Sequence, residues 1–377
     1  MTTALIRRRS GRTMPEITDL QGVAEQFSSR GRFVAAQRFG NGHINDTYLI
    51  NVGDSPNASR FVLQRINKNV FSDPAALMEN ISRVTEHLRE KEARCLALIP
   101  TVDRQPFFRS PADEYWRAWE YIPGAVTFDQ AQNETQAGLA AEKFGEFQKL
   151  LADFDGPRLN ETIPDFHNTP VRYSHLNIAV QENAFDRVRH CGEEIDRALA
   201  WEEEAGTLVK LQQSAQIPER IIHNDTKLDN LLFDEASGAP ICVIDLDTVM
   251  PGLSLYDFGD MVRTATSATA EDTTELENIG LRMPYYKALV DGFIGATSDF
   301  LTEVEIEHLS LSAKIITIET GLRFLTDYLS GDEYFGAQRP AHNLERARAQ
   351  FALAASIEDQ FEQMQDIVIS AAKRPQG

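Results

Sequence analysis

Six polar residues in the stretch 221–263, IIHNDTKLDNLLFDEASGAPICVIDLDTVMPGLSLYDFGDMVR, have the types and spacing that phosphoryl transfer asks for. His223, Asp225 and Asn230 stand at HxDxxxxN spacing, and Asp245 follows the apolar run Ile241-Cys242-Val243-Ile244. The reaction needs an oxygen nucleophile held in line with the phosphate and cations to neutralise phosphate charge. Asp225 is placed to take the proton of an acceptor hydroxyl. An ordinary aspartate, with a pKa of about 3.9, is a weak base for an alcohol, which suffices where the proton moves late and orientation counts for more than basicity. Asn230 offers an amide oxygen to Mg2+ and Asp245 a carboxylate. Asp247 points to the same side if the strand continues, as a second or outer ligand. His223 ties the loop together by hydrogen bonds, and Lys227 either touches the transferred phosphate or stays a loop-surface lysine.

HxDxxxxN alone arises by chance; an apolar strand with an aspartate at the proper remove makes it a strong signal. Competing chemistries lack their partners. No further histidines lie at zinc-ligand spacing from His223, no G-x-S-x-G elbow accompanies a Ser-His-Asp set, and no GxxxxGK[ST] loop is present.

The elements that must position these residues follow from the rest of the chain. With 377 residues, 42% hydrophobic and 25% charged, two or three units around a sizeable core are expected. A net charge of -20 argues against nucleic acid and anionic membranes as partners, and obliges any phosphate site to supply its own positive field. No apolar run reaches the ~18 residues of a membrane span. Three scattered cysteines make no disulfide framework, which predicts a cytoplasmic protein. Residues 1–14 read as a disordered leader.

Residues 33–52 predict two strands joined by Gly40-Asn41-Gly42-His43-Ile44-Asn45, either an ordinary hairpin or a loop whose backbone approaches a ligand. Residues 60–66 predict a third strand, on which Arg65 is the cation offered to phosphates or a solvent-facing arginine. A helix over 74–89 starts with a Ser72 or Asp73 cap and carries Glu79, a candidate partner for Arg65. Two more strands in 105–122 end at Glu120-Tyr121-Ile122, and Pro123-Gly124 is punctuation where one lobe gives way to another. This divides the chain into a nucleotide-binding lobe, 15–122, and a catalytic and substrate-binding lobe, 123–377. Helices are expected at 135–151, 177–213 (one or two), 283–294, 303–329 and 343–367, with 163–173 an ordered loop containing an isolated His167. Arg323 and Asp327 sit four apart on one helix, a surface ion pair or a substrate contact.

HNDTKLDN, CVIDLD and YDFGD together resemble the aminoglycoside phosphotransferase and choline kinase superfamily, and the resemblance runs from about residue 33 to 360. Within it GNGHINDTY, FVLQRIN, VIDLDTVMPGLSLYDFGD and GLRFLTDYLSGDEYF are similar to the N-acetylhexosamine 1-kinases. The resemblance implies an α+β, bilobal, protein-kinase-like fold with a small antiparallel-sheet N-lobe and a mainly helical C-lobe. It implies ATP and Mg2+ as cofactors, a sugar as acceptor, and a monomer or homodimer. Asp225 is then the base and Asn230 and Asp245 the metal ligands. Gly40, Gly42, Asn45 and Arg65 meet the phosphates, Glu120 and Ile122 meet adenine through their backbone, and Asp257 bonds the catalytic loop. Arg323, Asp247 and Asp327 face the sugar. Gln64-Arg65 departs from the lysine that many superfamily members carry. Another small hydroxyl acceptor (aminoglycoside, choline or homoserine type) and a nucleotide-binding pseudokinase are the alternatives.

Overall fold

A computed structural model describes residues 17–28, 31–40, 44–53 and 59–374, with backbone alone for 17–19. The expected leader, 1–14, and Gly42 lie outside them. The chain divides into two compact units, Met1–Thr85 with Leu96–Pro123, and Glu86–Cys95 with Gly124–Gly377.

In the first unit α1 (Ile17–Ala24) precedes β1 (Phe33–Arg38), β2 (Asp46–Val52), β3 (Ser59–Arg65) and α2 (Pro74–Glu90, its residues from Glu86 counted with the second unit), then β4 (Leu98–Ile99), β5 (Phe108–Arg109) and β6 (Tyr115–Glu120). The strands form one antiparallel sheet in the order β1-β2-β3-β6-β4, with β5 on β6. One face buries Tyr48, Ile50, Phe61, Leu63, Trp116 and Ala118 against Leu20, Ala24 and Phe27. Asp73 caps α2, its Oδ1 accepting the N–H of Ala75 and Ala76 at 3.1 and 3.0 Å.

The second unit opens with β7 (Ala125–Val126) and α3 (Glu134–Leu151), followed by α4 (Thr169–Glu182), α5 (Gly192–Ala200), α6 (Glu202–Ala205) and α7 (Thr207–Gln213). The expected loop 163–173 therefore ends at the start of α4, and the single charged stretch after it is broken into short helices. Next come β8 (Arg220–Ile222), β9 (Leu231–Asp234), β10 (Pro240–Val243) and β11 (Met250–Gly252). They make two small antiparallel sheets, β10-β9-β7 and β11-β8. The remainder is helical: α8 (Ser254–Ala265), α9 (Met283–Thr297), α10 (Glu303–Glu307), α11 (Leu309–Leu329), α12 (His342–Asp359) and α13 (Phe361–Ala372). This is the expected fold class, a small antiparallel-sheet N-terminal region followed by a mainly helical C-terminal one. No helix among the described residues is long and apolar enough to cross a membrane.

The helix α11 is buried along almost its whole length, because α8, α4 and α12 all pack on it. Its approach to α8 is set by Gly259, where an added Cβ would stand 2.6 Å from the Ser312 carbonyl oxygen and 2.8 Å from Ile316 Cγ1. The first of these contacts is backbone and has no rotamer with which to yield. Gly259→Ala is therefore expected to force the helices apart and cost about 1–3 kcal/mol, read as a lower urea midpoint at unchanged m-value.

Candidate active site

The loop 223–230 leaves β8 and returns as β9, and nearly every polar group in it is tied. β8 pairs with β11, Ile222 opposite Met250, which brings the loop over the start of α8. There Asp257, fully buried, accepts the N–H of His223 on Oδ2 at 2.9 Å and that of Asn224 on Oδ1 at 2.7 Å. Gln148 of α3 donates to Oδ2 at 2.7 Å, and the Thr226 hydroxyl donates to the Asp257 carbonyl at 2.6 Å. Burial pushes the Asp257 carboxyl up, while the backbone N–H groups and Gln148 pull it down.

His223 lies between Phe144 and Phe147, edge-on at 5.6 and 6.0 Å. Its Nε2 meets the Ile244 carbonyl at 2.9 Å, and its Nδ1 accepts the Asp225 N–H at 3.3 Å. These partners require the tautomer protonated at Nε2. The ring thus clips Asp225 to the end of β10.

Asp225 is held through one oxygen. Asn230 donates to its Oδ2 at 2.9 Å and to its carbonyl at 2.8 Å, and Lys227 Nζ stands 3.3 Å from the same Oδ2. Oδ1 takes no partner among the described residues. Burial alone raises the carboxyl, but Lys227 and the Asn230 bond outweigh it and the net shift is downward. Lys227 is raised in turn, chiefly by Asp225.

The Ile244 N–H donates to the Asn230 carbonyl at 2.9 Å, which brings Asp245 in beside Asn230. Asp245 is exposed and left-handed, φ 56° and ψ 60°. Because both amide hydrogens of Asn230 go to Asp225, its amide oxygen faces the other way. An amide oxygen and an exposed carboxylate on one rim are hard donors of the kind a divalent cation takes, with phosphate and water completing its shell. No cluster of three His, Cys, Asp or Glu able to hold a metal occurs among the described residues.

Several expected site residues have other work. Arg65 is buried and committed to carboxylates: Nε and Nη2 bond Asp46 Oδ2 at 3.0 and 2.6 Å, and Nη1 bonds Glu114 at 2.5 Å. The register that sets Asp46 opposite Arg65 causes this, so any approach of Arg65 to phosphate would compete with two carboxylates. Glu79 lies beside Arg83 at 3.8 Å rather than beside Arg65. Asn45 is buried, and its side-chain oxygen accepts the Asn67 N–H at 3.0 Å, so that oxygen serves the first unit's own packing. Asp327 is not a surface ion pair with Arg323. Its carboxylate accepts the N–H of Tyr334 and Phe335 at 2.8 and 3.0 Å and the Asn343 amide at 2.9 Å, closing the turn after α11. β10 stops at Val243, so alternation does not carry to Asp247. That residue is buried in the 3-10 turn Leu246–Thr248, with its carbonyl bonded by Thr162 at 2.9 Å.

Other expected residues stay accessible. Gly40 is exposed at φ 74°. Glu120 ends β6 opposite Phe61, and Ile122 lies two residues beyond that last pair. Tyr121 between them is covered by Arg60 at 4.2 Å. In the second unit Arg323 is ringed by Phe166, Phe335 and Tyr334 at 5.2, 5.3 and 5.8 Å.

Three participants escape the sequence pattern: Gln148 of α3, Arg172 of α4 and Glu319 of α11, the last a partner of His167. Each is a polar residue on or beside an otherwise ordinary helix. His167 is not isolated, since its ring bridges Glu319 and the Asn224 carbonyl.

The model of the phosphotransferase enzyme family matches residues 35–283. Among solved structures the chain is similar to an aminoglycoside phosphotransferase from Alicyclobacillus acidocaldarius, with 14% identity and a TM-score of 0.60 over 94% of this chain and 100% of that one. A choline kinase from Cryptosporidium parvum aligns with 13% identity and a TM-score of 0.57, over 94% and 99% of the two chains. A microcompartment-associated aminopropanol kinase aligns with 16% identity and a TM-score of 0.55, over 92% and 98%. At these identities the likeness is one of fold, the protein-kinase-like one, and carries no acceptor with it.

Asp257→Asn must turn an amide N–H2 toward an N–H donor and lose at least one bond. A loss of about 2–4 kcal/mol of stability and a large fall in phosphoryl-transfer rate are expected, measured by denaturant unfolding and by turnover of the folded fraction.

Proposed function

We propose an acceptor for this chain from one premise: it belongs to the phosphotransferase enzyme family, whose kinase-like members use ATP with a divalent metal. The acceptor is an N-acetylhexosamine, GlcNAc or GalNAc, phosphorylated at its anomeric hydroxyl, and the metal is Mg2+. Residues 15–122 form the nucleotide-binding lobe under this assignment, with Gly40 at the phosphates and the backbone of Glu120 and Ile122 at adenine. Residues 123–377 form the catalytic lobe.

The observation that carries the chemistry is the division of labour on Asp225. Asn230 and Lys227 both take Oδ2, leaving Oδ1 for the acceptor hydroxyl. Asp225 receives that proton as the acceptor oxygen bonds to the terminal phosphorus and the bond to the ADP oxygen breaks. Asn230 keeps the carboxylate from rotating, and Lys227 supplies positive charge at the transferring group. Mg2+, held by Asn230 and Asp245, would neutralise phosphate charge when bound. A carboxylate held below its usual range is a poor base for an ordinary alcohol. An anomeric hydroxyl is more acidic and suits it.

The surroundings of Arg323 support a neutral, oxygen-rich acceptor. A choline-type acceptor would want open aromatic faces, and here Phe166, Tyr334 and Phe335 already surround a guanidinium. Arg172 stands close enough to Arg323 for the two charges to repel. Its Nη2 donates only to the carbonyls of Asp165 and Phe166, at 2.6 and 2.8 Å. Two arginines without a carboxylate ion pair among the described residues disfavour a polycationic aminoglycoside and leave donors for hydroxyl or acetamido oxygens.

Incubation with ATP, Mg2+ and a panel of sugars, amino alcohols and antibiotics tests the assignment. An acid-labile anomeric phosphate on GlcNAc or GalNAc is expected. Transfer to choline or kanamycin with none to either sugar would refute it. Asp225→Asn should lower kcat by about 10²–10⁴-fold with ATP affinity retained. Arg323→Ala should raise the acceptor KM roughly tenfold, the loss of about 1.4 kcal/mol of binding, with the ATP KM nearly unchanged; an effect on ATP alone would move Arg323 to the nucleotide side.

A further inference from the structure

We propose that His167, as an imidazolium paired with Glu319, is a positioning residue that grips the Asn224 carbonyl and fixes the peptide leading into Asp225. His167 lies just before α4, and its side chain is 7% exposed. Glu319, midway along α11, is 1% exposed. His167 Nδ1 stands 2.8 Å from Glu319 Oε1, and His167 Nε2 stands 3.2 Å from the Asn224 carbonyl oxygen. A carboxylate and a carbonyl are both acceptors, so only a ring protonated at both nitrogens makes both bonds.

The carboxylate is built to hold that ring. Its second oxygen accepts the Thr169 hydroxyl at 2.6 Å. Burial alone would raise Glu319, but His167, Arg172 and Thr169 outweigh it and hold the group below its usual range. The other neighbours are Phe166, edge-on at 4.7 Å, and Tyr256 of α8 at 5.0 Å. Burial pushes the Tyr256 phenol up, so it stays neutral. Arg172 on α4 and Arg323 on α11 are the nearby cations. Glu319 is the carboxylate in contact with the ring.

The object gripped is a strained one. Asn224 has φ 65°, a left-handed conformation that a residue with a Cβ holds only when its surroundings insist. Three elements insist. Asp257 of α8 takes its N–H at 2.7 Å, the Thr248 carbonyl takes its side-chain amide at 2.9 Å, and His167 takes its carbonyl. The first two fix one end of the residue and its side chain; the third acts on the peptide bond to Asp225 from its carbonyl side, opposite His223 Nδ1, which takes the N–H of the same peptide at 3.3 Å. A purely packing role would be filled by any flat ring of similar size.

The proposal rests on Asp225 being the base, not on the identity of the acceptor. Nitrogen-detected NMR of the full chain, with no substrate present, should show both His167 ring nitrogens protonated at pH 7. Glu319→Gln should remove one of those protons and lower kcat. In turnover on whichever acceptor the panel identifies, His167→Phe should lower kcat at least tenfold with both KM values within about twofold. His167→Gln, which keeps one donor, should restore part of the loss. A singly protonated ring in the unaltered protein, or His167→Phe at full kcat, would overturn the assignment. Should His167→Phe not fold, the ring protonation and the Glu319→Gln kinetics decide. Failure of the N-acetylhexosamine assignment leaves the NMR readout intact, so the two can fail separately.

Discussion

The site hangs on a buried carboxylate that accepts three hydrogen bonds. Asp257 is shielded from water by apolar neighbours of α8, and an unpaired charge there would cost several kcal/mol. Two consecutive backbone N–H groups and the Gln148 amide offset that cost. Its place in the first turn of α8 adds the favourable end of the helix dipole. Because the two backbone donors are His223 and Asn224, the same bonds that solvate the charge fix the strand-to-loop turn preceding Asp225. α8 must therefore sit directly beneath that turn, and Gly259 lets α11 come close enough to hold it there. α11 in turn brings Glu319 within reach of His167.

This dependence explains what was legible in the chain. His223, Asp225, Asn230 and Asp245 were readable because one continuous segment supplies them and because the β9–β10 ladder converts their spacing directly into proximity. The strands and main helices of both units were readable for a similar reason, since burial of one face leaves a periodic trace. The partners of Arg65 were not legible because they are chosen by strand register: Asp46 lies opposite it on β2, and Glu114 lies just before β6. Nothing in residues 60–66 alone announces either. The partners of Asp327 were not legible because a helical spacing of four suggests a pair with Arg323, while the following turn folds back and donates to both carboxylate oxygens. Asp247 misled because Asp245 adopts a left-handed conformation, which ends the alternation on which the inference rested. Gln148 and Glu319 left no trace, because each lies on a helix that buries other polar residues too, and spacing along the helix does not say which of them meets a distant partner.

The distribution of charge follows one logic. With 37 basic residues against 57 acidic ones, a cation is normally claimed by the nearest carboxylates. Arg263 lies between Asp260 and Glu271, Lys314 between Glu204 and Glu358, and Arg65 between Asp46 and Glu114. Arg220 makes both of its carboxylate bonds to Glu305 at 2.8 Å. Against that background Arg172 and Arg323 stand out, because aromatic rings and backbone carbonyls surround them where carboxylates would be expected. Burial holds Arg172 below its usual range and the Arg323 guanidinium adds to that, with the charge of Glu319 only partly offsetting them. Such an arrangement is stabilised when an oxygen-rich ligand lies between the two, which is the condition an acceptor sugar would meet.

The catalytic loop shows the same economy on a smaller scale. Lys227 serves Asp225 in the free protein, lowering its proton affinity through Oδ2. An ammonium in that position faces a choice once a polyphosphate arrives, since a phosphate carries more charge than a carboxylate and attracts it more strongly. With Asp225 as the proposed base, any drift of Lys227 toward phosphate would weaken its hold on the carboxylate and return some basicity to it. Asn230 does not follow, because its amide is bound to the Asp225 backbone as well as to Oδ2. Orientation is thereby kept while basicity changes. A neutral side chain fixing the geometry and a mobile charge setting the proton affinity would divide the two requirements of proton transfer between separate residues.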